Sequence, residues 1–170
     1  MAAPDSPTYL VDANSDPAVL KICGRASYTN CNPVHAFFRR MIEGGRQHVV
    51  VDFEECTAMD STFLGVLAGA AMQIRRSSTH GSLVLTHLDG NNLRLVRELG
   101  LDRVLEIATG DPPTVDGKTL ESVQGEQAAP DTILNAHENL VRADESNETR
   151  FQDVLSFLRG GTERGSDPEE

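Results

Sequence analysis

The sequence predicts an α/β fold in which a mixed sheet of about five strands carries helices packed on it, followed by a C-terminal helical extension. Two observations support this prediction. Short strand-like segments alternate with amphipathic helical segments through residues 8–110, which is typical of parallel strands joined by helical crossovers. Beyond a stretch rich in Gly, Pro and Gln, two more segments repeat apolar residues at helical spacing.

The amino-terminal part of the chain predicts a hairpin and then a helix. Residues 8–13 and 18–23 are short strand-like segments, and the Asn, Asp and Pro between them are typical of a turn. Residues 32–43 place apolar side chains at three- and four-residue spacing. This spacing predicts a helix with one buried face, which the two glycines that follow should end.

The segment around Asp60 organises the rest of the chain. Residues 48–53 include three consecutive valines, which predicts a central strand covered on both faces. After a short polar loop, an apolar helix should begin at Asp60 and Ser61, because short polar side chains accept hydrogen bonds from the unpaired N–H groups of a helix start. The partial positive charge there also suits a phosphate. We expect small residues to let this helix lie close to the sheet, namely Gly65, Ala68, Gly69, Ala70 and Ala71.

Two more strands and one helix complete the predicted sheet domain. Residues 83–86 have the pattern of a buried strand, and residues 91–99 that of a helix with Gly100 as its C-cap. Residues 104–108 alternate like an edge strand. The sheet domain is therefore expected to span residues 8–110.

The remaining residues are expected to form an appendage. Residues 111–129 have the composition of a linker, and residues 130–160 predict two amphipathic helices, with His137 on the inward face of the first. Neither helix is long enough to be stable alone in water, so each needs the sheet domain, a second subunit or a partner to cover. Residues 161–170 and residues 1–7 are expected to be disordered.

Composition limits the classes of partner. The formal charge is −11, with 13 acidic and 10 basic residues in 1–111 but 13 acidic and 5 basic in 112–170. An acidic surface repels nucleic acid and anionic lipid, so neither is an expected partner. No apolar run approaches the roughly 20 residues that cross a bilayer, and the first residues lack a signal-peptide pattern. The 3 cysteines lack metal-ligand spacing and are expected to be reduced thiols of a cytoplasmic protein.

Residues 8–110 resemble the STAS domain, which is found in bacterial anti-sigma factor antagonists and at the ends of sulfate transporters. The strongest part of the resemblance is the run VVVDF at residues 49–53, followed by MDST and LGVL within residues 59–67. The second marker is LGLDRVLEI at residues 99–107. The resemblance implies a STAS-like sheet. Phe63 stands where the family usually has glycine, and it is expected either to be an exposed apolar anchor for a partner or to fold inward.

The resemblance also implies a function. In that family the serine after the aspartate is phosphorylated by an anti-sigma factor that is itself a serine kinase, and a metal-dependent serine phosphatase removes the phosphate. The unmodified antagonist binds the kinase and frees the sigma factor. By resemblance, Ser61 is the phosphoacceptor, with Thr62 as the alternative, and Asp60, Ser61, Thr62 and Phe63 form the partner-binding surface.

Three functions remain open at this point. In the first, a phosphate on Ser61 adds a charge of about −1.5 to −2 and spoils docking of the partner without changing the fold. In the second, Asp60 and Ser61 only cap the helix, and the C-terminal helices form a homodimer or recruit a partner to a scaffold. The third is an enzyme or ligand carrier. The sequence gives little support for it, and we expect no catalytic residue, cofactor or metal.

The other reactive side chains predict no chemistry. The 5 histidines have no metal-ligand pattern and are expected to be solvated or packed singly. Asp52, Glu54 and Glu55 could be mistaken for an acid/base pair. We instead expect them in a solvated loop after a strand, because no paired histidine or nucleophile accompanies them. Cys56, near the proposed switch, is expected to be a small buried or half-buried residue.

Overall fold

The structure of the protein is a computed structural model, which describes residues 8–108, 121–123 and 125–166. The strands are β1 (Tyr9–Asp12), β2 (Ala18–Ala26), β3 (His48–Met59), β4 (Ser82–Thr86), β5 (Glu106–Ile107) and β6 (Glu121–Val123). The helices are α1 (Asn32–Glu43), α2 (Ser61–Ser77), α3 (Gly90–Glu98), α4 (Pro130–Ala143), α5 (Asn147–Arg150) and α6 (Gln152–Ser166). A 3-10 turn at Leu101–Arg103 follows α3.

The sheet is mixed, with the strand order β5-β4-β3-β2-β1-β6 in the described residues. Strands β1 and β2 form the predicted antiparallel hairpin, and β6 pairs antiparallel with the other edge of β1. Strands β2 to β5 run parallel to one another, as expected for strands joined by crossovers. The predicted α/β fold with additional C-terminal helices is therefore confirmed, and β6 is a strand that the sequence did not predict.

Strand β3 is longer than predicted, and it leads the chain directly into α2. It continues to Met59, where the sequence predicted a polar loop after residue 53. Strand β2 is also longer and pairs with it as far as Ala26 opposite Met59, with shifts of register on the way. Glu54 and Glu55 are exposed, so their polarity reflects a strand face open to solvent and not a loop.

The predicted edge strand at 104–108 is a strand only at Glu106–Ile107, and a turn precedes it. Leu101 and Leu105 are both buried at a spacing of four residues, which suits a helical turn and leaves only two residues for β5. The predicted linker is also partly structured, because β6 pairs with the backbone groups at the edge of β1. Linker residues 111–120 and 124 lie outside the described residues, as do residues 109 and 110 of the predicted sheet domain.

Helix α6 is longer than predicted. It runs through the two glycines at 160 and 161 to Ser166, so the expectation of disorder from residue 161 is wrong for that part. One glycine destabilises a helix interior by only about 1 kcal/mol, which is too little to end a helix by itself. The expectations for residues 1–7 and 167–170 lie outside the described residues.

Helix α4 packs along α2. A Cβ at Gly65 would overlap the backbone carbonyl of Ala136, and a Cβ at Gly69 would overlap the side chain of Asn139. The prediction that these glycines bring α2 close to the sheet is therefore wrong, because they instead let α4 approach α2. The Asn139 Nδ2 donates to the Gly65 carbonyl at 3.2 Å. One face of α2, including its amino end, thus lies against the C-terminal extension.

The turn after α4 fixes the extension to the sheet domain. Asn147 is fully buried, and its Nδ2 donates to the carbonyls of Leu99 at 2.9 Å and Leu140 at 2.8 Å. Gly100 has the left-handed φ of 69° that favours glycine after a helix, which fits its predicted role as C-cap.

In the described part of the chain, none of the helices has the length and apolar character needed to span a bilayer.

Candidate functional site

The amino end of α2 is held by Asp60. This residue has extended backbone, and its Oδ1 accepts from the Phe63 N–H at 2.9 Å, so it is the N-cap of the helix. Its Oδ2 accepts from the Tyr28 N–H at 2.9 Å. One carboxylate therefore joins the helix start to the loop after β2, and the predicted capping role of this position is carried by Asp60.

Ser61 is the first residue of the helix and is half-buried. Its Oγ lies 2.9 Å from the Nε2 of His137 in α4. The Nδ1 of His137 lies 2.8 Å from the carbonyl oxygen of Ile133, which can only accept, so Nδ1 carries the proton. In the neutral ring Nε2 is then an acceptor, and the Ser61 hydroxyl donates to it.

His137 itself is buried, with 3% of its surface exposed, and its ring meets the Phe151 ring edge-on at 5.1 Å. The histidines were expected to be solvated or packed singly. His137 is packed, but it also has a specific hydrogen-bond partner in Ser61. The sequence placed His137 on the inward face of its helix. Nothing in the sequence indicated which surface that face would cover, so the contact with Ser61 was missed.

The two residues after Ser61 point inward. Thr62 is 4% exposed and Phe63 is fully buried, where its ring stacks against Tyr9 with the ring centroids 6.1 Å apart. Of the two alternatives for Phe63, the structure adopts the inward one. The prediction that Thr62 and Phe63 lie on a partner-binding surface is therefore wrong for this conformation, and the burial of Thr62 also removes it as an accessible alternative acceptor.

The accessible residues at this end of α2 are Asp60, Ser61 and Tyr28. Tyr28 is 42% exposed, and its backbone carbonyl accepts from the Ala128 N–H at 2.7 Å. Sequence reasoning singled out no residue between the predicted strand at 18–23 and the predicted helix at 32–43, and so missed Tyr28. The available signal was an aromatic side chain in a polar loop, which is typical of a contact surface.

A second cluster of ionisable groups lies in the middle of β3 and directly after β4. The His87 Nδ1 is 2.8 Å from the Asp52 Oδ1, which also accepts from the Glu54 N–H at 2.9 Å. The expectation that no histidine accompanies Asp52 is therefore wrong. Asp52, Glu54 and His87 are the one group in the described residues that could offer three ligands to a metal ion, but two of the three are exposed.

The cysteines are all free thiols. Burial raises the pKa of Cys31 to about 11, and the nearby Asp60 carboxylate adds to the shift. Burial also raises the pKa of Cys56 to about 11. Both thiols are therefore protonated near neutral pH, and neither has the thiolate character of a redox-active cysteine.

Comparison with known proteins identifies the fold family. The family model described as "Mlab, STAS domain" matches residues 9–107. Among solved structures, the unphosphorylated anti-sigma factor antagonist SpoIIAA matches with a TM-score of 0.48 and 16% identity, covering 61% of this chain and 89% of its own. A Thermotoga maritima protein provisionally described as an anti-sigma factor antagonist matches with a TM-score of 0.41 and 20% identity, covering 59% of this chain and 84% of its own.

Similarity of structure at this level says nothing about what the present chain binds. No curated protein matches it. The family model covers more than half of the chain and includes β1 to β5 together with the whole of α2. The chain therefore belongs to the STAS domain family.

Proposed function

We propose that this chain is a protein-binding module of the anti-sigma factor antagonist type, in which phosphorylation of Ser61 controls docking of the partner. The partner would be an anti-sigma factor that acts as a serine kinase, and a metal-dependent serine phosphatase would reset the module. STAS domains generally act as binding modules and not as enzymes. The observation that carries the proposal is the Ser61 hydroxyl at the first position of α2, which is half-buried and hydrogen-bonded to His137.

The position of Ser61 suits a phosphate. The first N–H groups of α2 carry partial positive charge, which favours an anion on the adjacent side chain. Asp60 caps the helix through its own carboxylate, so the cap does not depend on the Ser61 hydroxyl. A phosphate at Ser61 could therefore be accommodated without unfolding α2.

Helix α4 would have to take part in the switch. A phosphate on Ser61 replaces the proton that the hydroxyl donates to His137, so the hydrogen bond between the two side chains is lost. Phosphorylation would thus release the contact that holds α4 at the amino end of α2, and α4 could shift away. A protein partner that docks on Ser61 would require the same shift, so α4 and the partner would compete for one surface.

The same chain supports a second candidate, an assembly role for the C-terminal helices. Phe157 on α6 is 81% exposed and Val154, on the same helix, is 40% exposed. Large apolar side chains left in water at adjacent turns are typical of a surface that a second protein covers, and a homodimer through these helices would cover them. In this candidate the contact between Ser61 and His137 is purely structural.

Phosphosite mapping distinguishes the two candidates. The protein is incubated with ATP and purified serine kinases of the anti-sigma factor class, and its intact mass is measured for the wild type and for Ser61→Ala. The proposal predicts one added phosphate on the wild type and none on Ser61→Ala. Absence of modification, together with a dimer that Phe157→Ser abolishes in sedimentation velocity, would favour the assembly role.

A further inference from the structure

A cleft between α1, α2 and α4 is lined by cationic side chains. It has a volume of about 300 Å³, at the lower end of the range for small-molecule sites. Arg39 of α1, Arg76 of α2 and Arg142 of α4 all line it, and none of the described residues of the lining is acidic. Three arginines from three helices thus line one cavity in a protein whose net charge is −11.

The arginines differ in how they are held. Arg142 Nη1 donates to Asn139 Oδ1 at 3.1 Å, and Asn139 is buried and donates in turn to the Gly65 carbonyl. This chain of hydrogen bonds positions one guanidinium on the backbone of α2. Arg76 has no ion-pair partner among the described residues.

Two carboxylates lie close to the cleft but do not neutralise the charges of its arginines. Glu43 is 3.7 Å from Arg39, and both side chains are more than 70% exposed. Glu138 is 4.0 Å from Arg142. Ion pairs this long between solvated groups are weak, so they leave both guanidinium groups available to an anion that enters the cleft.

The rest of the lining is part polar and part apolar. Gln73 and Asn135 contribute amide groups that can donate hydrogen bonds, while the half-buried Met72 provides apolar surface. Burial lowers the pKa of His35, and Arg39 adds to this effect, so its ring at the cleft is neutral near pH 7 and offers both a donor and an acceptor. The cleft therefore combines a charged wall with apolar surface.

We propose that this cleft binds a small phosphomonoester whose phosphate contacts the arginines and whose apolar body lies on Met72. The guanidinium fork matches two oxygens of a phosphate at once, and several forks around one cavity favour a group with several anionic oxygens over a carboxylate. The cleft is a separate place from the amino end of α2, because no residue at that end lines it.

Isothermal titration calorimetry tests the proposal with phenyl phosphate as the probe. The expected result is saturable binding that weakens about tenfold or more in Arg76→Gln and in Arg142→Gln, since each removes a charge-assisted contact. Arg94→Gln is the matched control, because Arg94 is an exposed helical arginine with a Glu98 partner at 3.8 Å, and it lies outside the cleft. Binding to this control is expected to equal that of the wild type.

Two further probes separate the parts of the proposal. Inorganic phosphate is expected to bind more weakly than phenyl phosphate, and benzoate more weakly still. Equal binding of benzoate and phenyl phosphate would overturn the assignment of a phosphate. Equal binding of inorganic phosphate and phenyl phosphate would overturn the contact between the apolar body of the ligand and the cleft. No saturable binding at about 10 mM phenyl phosphate, or binding unchanged in both arginine variants, would overturn the site itself.

Discussion

The Ser61 hydroxyl donates to the Nε2 of His137 across 2.9 Å, although the two residues are 76 positions apart in the chain. Ser61 begins α2 of the STAS domain, and His137 belongs to the C-terminal extension. The contact places α4 over the residue at which this domain family is expected to be regulated. The extension is therefore attached to the proposed switch.

A double-mutant cycle measures this contact. Ser61→Ala is expected to lower the free energy of unfolding by about 1 kcal/mol, and His137→Ala by about 2–4 kcal/mol, because the second also removes a buried ring that packs on Phe151. The double variant is expected to lose about 1 kcal/mol less of the free energy of unfolding than the sum of the two single losses, since either change alone breaks the shared hydrogen bond. Urea denaturation provides the free energies.

The control cycle pairs His137→Ala with Ser77→Ala. The Ser77 hydroxyl donates to the Gln73 carbonyl within α2, so it takes no part in the contact between Ser61 and His137. These two changes are expected to be additive within about 0.5 kcal/mol. Additivity in both cycles would show that Ser61 and His137 are not coupled in solution.

Gly65→Ala tests whether α4 lies against the backbone of α2. An alanine methyl would overlap the Ala136 carbonyl, so we expect a loss of stability of about 2 kcal/mol or a displaced extension. Gly160→Ala in α6 is the control, because a Cβ there meets no atom within 4 Å. Alanine should stabilise that position by about 0.5–1 kcal/mol through helix propensity alone. Thermal unfolding that shifts upward for both variants would contradict the packing.

Asp60→Ala tests the cap that holds the amino end of α2. The substitution removes acceptors for the Phe63 and Tyr28 N–H groups, and we expect it to lower stability by about 2 kcal/mol. Asp89 is the matched control: it occupies the N-cap position of α3 but makes no capping hydrogen bond. Asp89→Ala should therefore change the urea midpoint little, and an equal loss in both variants would refute the specific role of Asp60.

Local patterns predicted much of this fold. The apolar spacing in residues 32–43 gave the bounds of α1 correctly, because one buried face and two following glycines define that helix within its own sequence. The capping chemistry at Asp60 was likewise predictable, since it depends on residues that are neighbours in the chain. Glu54 and Glu55 misled the prediction of β3, because polar residues suit a solvent-facing strand as well as a loop.

The site was less predictable because its geometry depends on long-range packing. Gly65 and Gly69 showed that some surface approaches α2 closely, but the sequence could not say whether it was the sheet or another helix. The inward orientation of the Phe63 side chain depends on Tyr9, which lies on the first strand and stacks on the Phe63 ring. His137 was readable as an inward-facing residue, and only the fold shows that it faces Ser61.

Stability should fall in alkaline solution through Cys31. Burial and the Asp60 carboxylate raise the pKa of this thiol from 9.0 to about 11, so the unfolded chain ionises first as pH rises. Stability is therefore fully present below about pH 9 and declines between about pH 9 and 11, by up to about 2 kcal/mol for this group. Urea denaturation at about pH 8 and pH 10.5 gives the decline.

Cys31→Ala isolates the contribution of the thiol. The variant is expected to show a smaller decline between the two pH values than the wild type. Cys56, whose pKa is also raised by burial, contributes to the decline in both proteins, whereas Tyr9, whose pKa is raised by burial and by the Cys31 thiolate, contributes less in the variant. A decline of equal size with and without the thiol would mean that Cys31 ionises as readily in the folded protein as in the unfolded chain.

The most direct test of the proposed function is the affinity for an anti-sigma factor kinase that phosphorylates the chain, measured by calorimetry for the wild type, Ser61→Ala and Ser61→Asp. The exposed Thr79→Asp serves as a control for added charge elsewhere on the surface. Because an unpaired charge at an interface costs several kcal/mol, we predict a loss of about a hundredfold or more for Ser61→Asp alone. Equal affinity of Ser61→Ala and Ser61→Asp would contradict the account.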